Sequence, residues 1–178
     1  MLSTLAVLSH SELCVLVDTD DGFDVKSAFH AGAKLENLLW AKCSSDLKHA
    51  LEVTDVVLRS GSFGFVVLDL ARTSARDIRR IQQAHWLRFR RAIENTSIVL
   101  LVIGTQSLAQ SLAGLVVELR PSLADFRLTN AAATKRPSCG ALLQGANLKV
   151  IQRRPFVLKQ PIEFWASVAL SDHSKIPP

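Results

Sequence analysis

Short β-branched runs punctuate the first two thirds of the chain. Residues 13–18 (LCVLVD) and 64–70 (GFVVLDL) each carry an aspartate at the close, residues 97–103 (SIVLLVI) form a third run and residues 115–119 (LVVEL) a fourth. Between them, residues 25–33, 45–60 and 74–94 show helical periodicity. Unbroken apolar strands alternating with helices predict an α/β fold, a mostly parallel sheet sandwiched by helices. Ligands of such sheets gather at the C-terminal strand ends, where Asp18, Asp69 and Thr105-Gln106 are expected.

On a wheel of the 74–94 helix, Ile78, Ile81, His85, Phe89, Ala92 and Ile93 fall within one arc of about 120°. Arg76, Arg79, Arg80, Arg90 and Arg91 fall opposite, with Leu87 among them. Two readings of this face stay open, a solvated side of a core helix and a contact surface for DNA phosphates or a partner protein. After Arg120 the texture changes. RPSLADFRLTNAAATKRPSCG has no clean period and reads as a loop excursion over 120–146. Strand patterns return at 147–152 and 162–170, and 171–178 reads as a tail.

Composition narrows the class. The chain has 178 residues, 48% hydrophobic and 21% charged, which fits one globular domain by length. No apolar run reaches the ~18 residues of a membrane span, and no membrane partner is expected. The N-terminus lacks the basic region and cleavage site of a signal peptide. Cys14, Cys43 and Cys139 show neither CxxC nor Cys/His ligand spacing, which predicts a reducing, cytoplasmic setting and no structural zinc. From Arg120 onward there are nine basic and three acidic residues, a net of +6, against −1 for residues 1–119. A basic C-terminal third points to an acidic partner such as nucleic acid, or to a solvated tail.

The stretch LCVLVDTDDGFD concentrates Asp18, Asp20, Asp21 and Asp24 around one glycine. It fails as a calcium loop: counted from Asp18, glycine falls at position 5 and Phe29 occupies position 12, where a bidentate Glu is needed. No Gly-Lys pair occurs in the sequence, so the chain has no loop of the type that cradles nucleotide phosphates. Asp21 and Asp24 are expected to cap the helix that follows. A response-regulator receiver is one reading of the strand ends, with Asp20, Asp21, Asp69, Thr105 and Arg120-Pro121 imitating its order. Arg stands there for the receiver's Lys, and the two are not interchangeable.

The order of segments resembles the core of the RecA family of recombinases over residues 4–165. LCVLVDTDDGFDVKSAFHAGAKLENLLWAKC is similar to that family's strand, acidic turn, helix and Asn-Leu-Leu. DLKHALEVTDVVLRSGSFGFVVLDL is similar to its next helix, RSG turn and Walker B strand. SIVLLVIGTQ is similar to the strand whose terminal Gln senses nucleotide, and LKVIQRRPFVLKQPIEF to its final strand pair. Among relatives, the chain most resembles the divergent bacterial RecA-like proteins that include ImuA, an accessory of SOS mutagenesis.

The resemblance implies a truncated P-loop NTPase core over 1–119, the excursion 120–146, C-terminal strands 147–170 of the same domain, and the tail. It gives Asp20 the place of the catalytic glutamate, one methylene shorter. Asp69 takes that of the Walker B aspartate, which holds Mg²⁺ through water, and Gln106 that of the nucleotide-sensing glutamine. The chain begins where the family's first helix follows its P-loop, so the Walker A segment is expected to be missing and both DNA loops reduced. The implied function is a RecA-like accessory of DNA repair or recombination that contacts DNA or a repair protein without hydrolysing ATP by itself. The alternative is a DNA-dependent ATPase whose P-loop lies outside this chain, with ATP and Mg²⁺ as cofactors once that loop is supplied. An unpaired sheet edge further predicts a homodimer.

Overall fold

The computed structural model describes residues 1–106, 108–109, 112–128, 141–155 and 162–167. Cys139, the heart of the expected excursion and the 171–178 tail lie outside them. The chain divides into two compact units, Met1–Ala113 and Gly114–Pro178.

The first unit is an α/β layer structure. Strands β1 (Cys14–Asp18), β2 (Leu38–Lys42), β3 (Phe65–Asp69) and β4 (Val99–Ile103) form a parallel sheet in the order β2-β1-β3-β4. Helices α1 (Leu2–Leu8), α2 (Val25–His30), α3 (Leu47–Ser60), α4 (Ala75–Arg80) and α5 (Gln83–Ile93) accompany it. Period-2 alternation sorts the central strands between two cores. Val15, Val17, Val66 and Leu68 pack with Leu51 and Leu58 of α3 and with Trp86 and Phe89 of α5. Leu16, Phe65 and Val67 pack on the other side with Leu5 of α1. Each of these side chains is worth about 1.5–3 kcal/mol when fully buried, which is why β1 and β3 read as unbroken apolar runs.

The sequence-predicted fold class holds at the level of a helix-flanked parallel sheet, with two differences in this unit. Strand β2 is not among the expected strands, because its LLWAK carries no β-branched residue and ends on the exposed Lys42 at the sheet edge. The expected single helix over 74–94 is two helices. Ser74 starts α4 by capping Asp77 N at 3.1 Å, and Ile81 and Gln82 are extended, with ψ of 114° and 142°. The break re-phases α5. A continuous helix turns His85 inward, whereas the observed one buries Trp86 and Phe89 and leaves His85 half-exposed. Burying the larger indole in place of an imidazole is the gain.

The other helix ends follow local chemistry. Asp46 caps α3 through His49 N at 3.0 Å, and Gly61 closes it in the left-handed region at φ 66°. Asp24 caps α2 as expected, accepting from Lys26 N at 3.1 Å and from the Ser27 hydroxyl at 2.5 Å.

The second unit is a three-stranded antiparallel sheet of β5 (Val116–Leu128), β6 (Ala141–Arg154) and β7 (Ile162–Ser167), in that order. Residues 115–119 therefore open a hairpin strand, not a fourth parallel strand. Residues 120–128 and 141–146 are strand where the sequence pattern predicts a loop. Pro121 hides the strand: it cannot donate to a ladder, and the register shifts between Pro121 and Leu123. Glu118 pairs with Arg120 along β5 at 2.5 Å and with Arg153 across on β6 at 2.6 Å. Among the described residues no helix is long and apolar enough to cross a membrane.

The α5 phase is testable. Trp86→Ala is expected to cost about 3–5 kcal/mol, while His85→Ala stays within about 0.5 kcal/mol. Urea unfolding of both variants checks this, and a reversed order would restore the continuous helix.

Candidate functional site at the C-terminal strand ends

The sheet order reverses between β1 and β3, so the switch point of this unit lies at their C-terminal ends. Asp18 and Asp69 face each other there in register. Asp18 is 4% exposed, and its carboxylate accepts from Phe23 N at 2.8 Å, Trp40 Nε1 at 3.1 Å and Asp20 N at 3.3 Å. It therefore folds the acidic turn back on itself and fastens β2 to β1.

Asp21 departs from its expected capping role. It has a positive φ of 56° and accepts from Cys43 N at 3.0 Å, Ser44 N at 3.2 Å and the Ser44 hydroxyl at 3.2 Å. The residue clamps the turn between β2 and α3, a task invisible in a local spacing because its partners are 22 and 23 positions away.

Asp20 is half-exposed and meets the Ser45 hydroxyl at 3.4 Å. Asp69 is half-buried and accepts from Ala71 N at 2.9 Å. Its carboxyl is pushed above the ordinary range, chiefly by burial and further by the charges of Asp18 and Asp20, against the pull of the Ala71 N–H and the Arg72 guanidinium. Asp20 and Asp69 are thus in each other's field. Gln106 is exposed, three residues beyond the end of β4, and no hydrogen bond joins it to these carboxylates among the described residues. Thr105 is exposed beside it, and Arg120-Pro121 belong to the antiparallel sheet. The receiver constellation is not assembled on one sheet.

An open groove of about 1120 Å³ runs from these strand ends between α3 and the α4–α5 pair. Sequence reasoning finds Asp20 and Arg80 of its lining and misses Thr19, Lys48, Arg72 and Thr73. The only available signal is their position one to four residues past β1 and β3 (Thr19, Arg72, Thr73) or at the start of α3 (Lys48). Many of its charges are paired internally, Arg59 with Asp55, Arg80 with Asp77 at 3.4 Å, and Lys48 with Glu52 at 3.8 Å.

The arginines form a surface split over two helices. Arg76, Arg79 and Arg80 stand on α4, Arg90 and Arg91 on α5, and most are exposed, as is Leu87. Arg88 joins them and donates to His85 Nδ1 at 2.8 Å.

Two cysteines are excluded from chemistry. Cys14 and Cys43 are buried and free, and burial first, then neighbouring carboxylates, pushes both thiols up, so they pack as small apolar groups. Among the described residues no group of three or more His, Cys, Asp or Glu is arranged to hold a metal ion. No family model matches the chain, and no curated protein matches it significantly.

A pH dependence follows from Asp69. Its proton is held more tightly in the folded state than in the unfolded chain, so stability is fully present below the ordinary carboxylate pKa and falls as pH rises from there through the raised folded value. Asp69→Asn keeps an acceptor for Ala71 N and removes the charge. It should raise stability at pH 7 by up to about 1 kcal/mol, the difference closing below about pH 4. Thermal melts across pH read this directly, and a loss of stability at pH 7 would mean the charge is compensated.

Proposed function

We propose that the chain is a RecA-like accessory protein of DNA repair or recombination, acting through DNA or protein contact without independent ATP hydrolysis. The observation that carries this reading is the clustering of Asp18, Asp20 and Asp69 at adjacent strand ends, with Asp69 raised by burial and by its neighbours. The resemblance gives two of these positions to the hydrolytic carboxylate and the Walker B aspartate. Perturbed carboxylates at a switch point are candidate functional groups on physical grounds alone. Against hydrolysis stands the sequence itself, which has no Gly-Lys pair and so no cradle for nucleotide phosphates. Among the described residues the carboxylates do not form a metal-binding group by themselves. One oxygen of Asp69 is engaged by Ala71 N, which leaves the other able to hold the water shell of a Mg²⁺ brought with nucleotide.

Contact falls to the arginines of α4 and α5, which are exposed in number and carry guanidiniums suited to phosphate. Self-association through an unpaired strand edge belongs to the same proposal.

Single-stranded DNA binding should weaken steeply with salt. Replacing Arg76, Arg79, Arg90 and Arg91 by Ala should flatten the log–log slope by about 0.7 for each phosphate no longer neutralised. Salt-independent binding to a repair protein would assign the face to protein contact instead. Mg-ATP titration decides the enzymatic alternative: micromolar affinity abolished by Asp69→Ala would overturn the non-hydrolytic reading.

A further inference from the structure

The groove floor contains two hydroxyls without partners. Among the described residues, the only buried side-chain nitrogen or oxygen atoms lacking a hydrogen bond are Thr19 Oγ1 and Thr73 Oγ1. Both threonines line the same groove. Thr19, only 2% exposed, directly follows β1, and Thr73 lies in the turn after β3, so they stand on either side of the switch point. A buried hydroxyl left unpaired destabilises the fold, and two on one groove mark where a ligand oxygen belongs.

The charge around them is uneven. Arg59, Arg80 and Lys48 each have a carboxylate partner, whereas Arg72 forms no ion pair among the described residues. Its guanidinium lies over Gly22, where a Cβ would come within 3.2 Å of Nη1. Arg72 immediately precedes Thr73 and lines the same groove. Two hydroxyl donors and a fork of N–H groups match the oxygens of a tetrahedral anion. Asp20 opposes this from its place beside Thr19 and keeps the affinity modest.

We propose that the groove floor binds a phosphate group, with the Thr19 and Thr73 hydroxyls donating to its oxygens and Arg72 supplying the charge. The group comes either as free phosphate or from a nucleic-acid backbone, and the second source rests on the DNA-contact reading above.

The test uses the full chain, with thermal melts and amide NMR shifts against inorganic phosphate and against a short single-stranded oligonucleotide. Chloride at matched ionic strength is the control. Phosphate is expected to raise the parent's Tm and shift the amides of Thr19 and Thr73. Thr19→Val and Thr73→Val should be at least as stable as the parent without ligand, since no bond is removed, and should lose the phosphate response. Thr19→Ser should keep it, Arg72→Ala should weaken binding about tenfold or more, and Asp20→Asn should tighten it. An oligonucleotide response abolished in the same variants identifies the backbone as the source. A response to inorganic phosphate alone identifies the free ion and keeps the site. Equal phosphate responses in parent and Thr19→Val, or a Thr19→Val protein less stable without ligand, would overturn the proposal. Oligonucleotide binding unchanged by these variants excludes the backbone as the source and leaves the arginine-surface reading intact; where the phosphate response is unchanged as well, the proposal is overturned.

Discussion

The strand-end region depends on one buried carboxylate. Asp18 ends β1 inside the protein, and a carboxylate there costs several kcal/mol unless donors surround it. Three do: two backbone N–H groups of the following turn and the Trp40 indole of β2. Satisfying that charge fixes how residues 19–23 fold and ties the edge strand to the centre of the sheet. It also has two side effects. Thr19 is pulled under the turn and left 2% exposed, and a negative charge is fixed beside Asp69. The groove floor and the perturbed carboxyl are thus consequences of a single solvation problem solved within the backbone.

The legibility of the fold followed burial. β1 and β3 were readable because a sheet covered on both faces demands unbroken apolar strands, and β4, the other edge strand, because its five residues are all β-branched or leucine. β2 was not, since its LLWAK carries no β-branched residue and closes on the exposed Lys42. The α4–α5 boundary escaped because nothing at Ile81-Gln82 is a helix breaker by type; the break is imposed by the choice of Trp86 over His85 as the buried residue. In the second unit, Pro121 and the lack of a clean alternation after it disguised a strand whose ladder partner lies on β6.

The site was legible in its carboxylates and not in its groove. Acidic residues at strand ends announce themselves in one dimension, whereas Thr19, Lys48, Arg72 and Thr73 come from three separate segments and no spacing links them. The helix wheel was also too coarse for the arginines. It placed five of them on one face, while the break between α4 and α5 divides them into two groups with different neighbours.

The acidic cluster sorts by what each carboxylate does for the fold. Asp18 organises its turn, Asp21 clamps the turn before α3, and Asp24 and Asp46 cap helices. Each has enough donors to explain its presence by stability alone. Asp69 is different: it has one backbone donor, sits in the field of two other negative charges, and is raised in consequence of burial and of that field. Asp20 is intermediate, with a long bond to the Ser45 hydroxyl and a place on the groove. A carboxylate with a single donor, opposed by burial and by two neighbouring charges, is a candidate functional group on physical grounds. Asp69 therefore ranks above Asp20 as the candidate of this cluster, even though the acidic turn is the more conspicuous feature of the sequence.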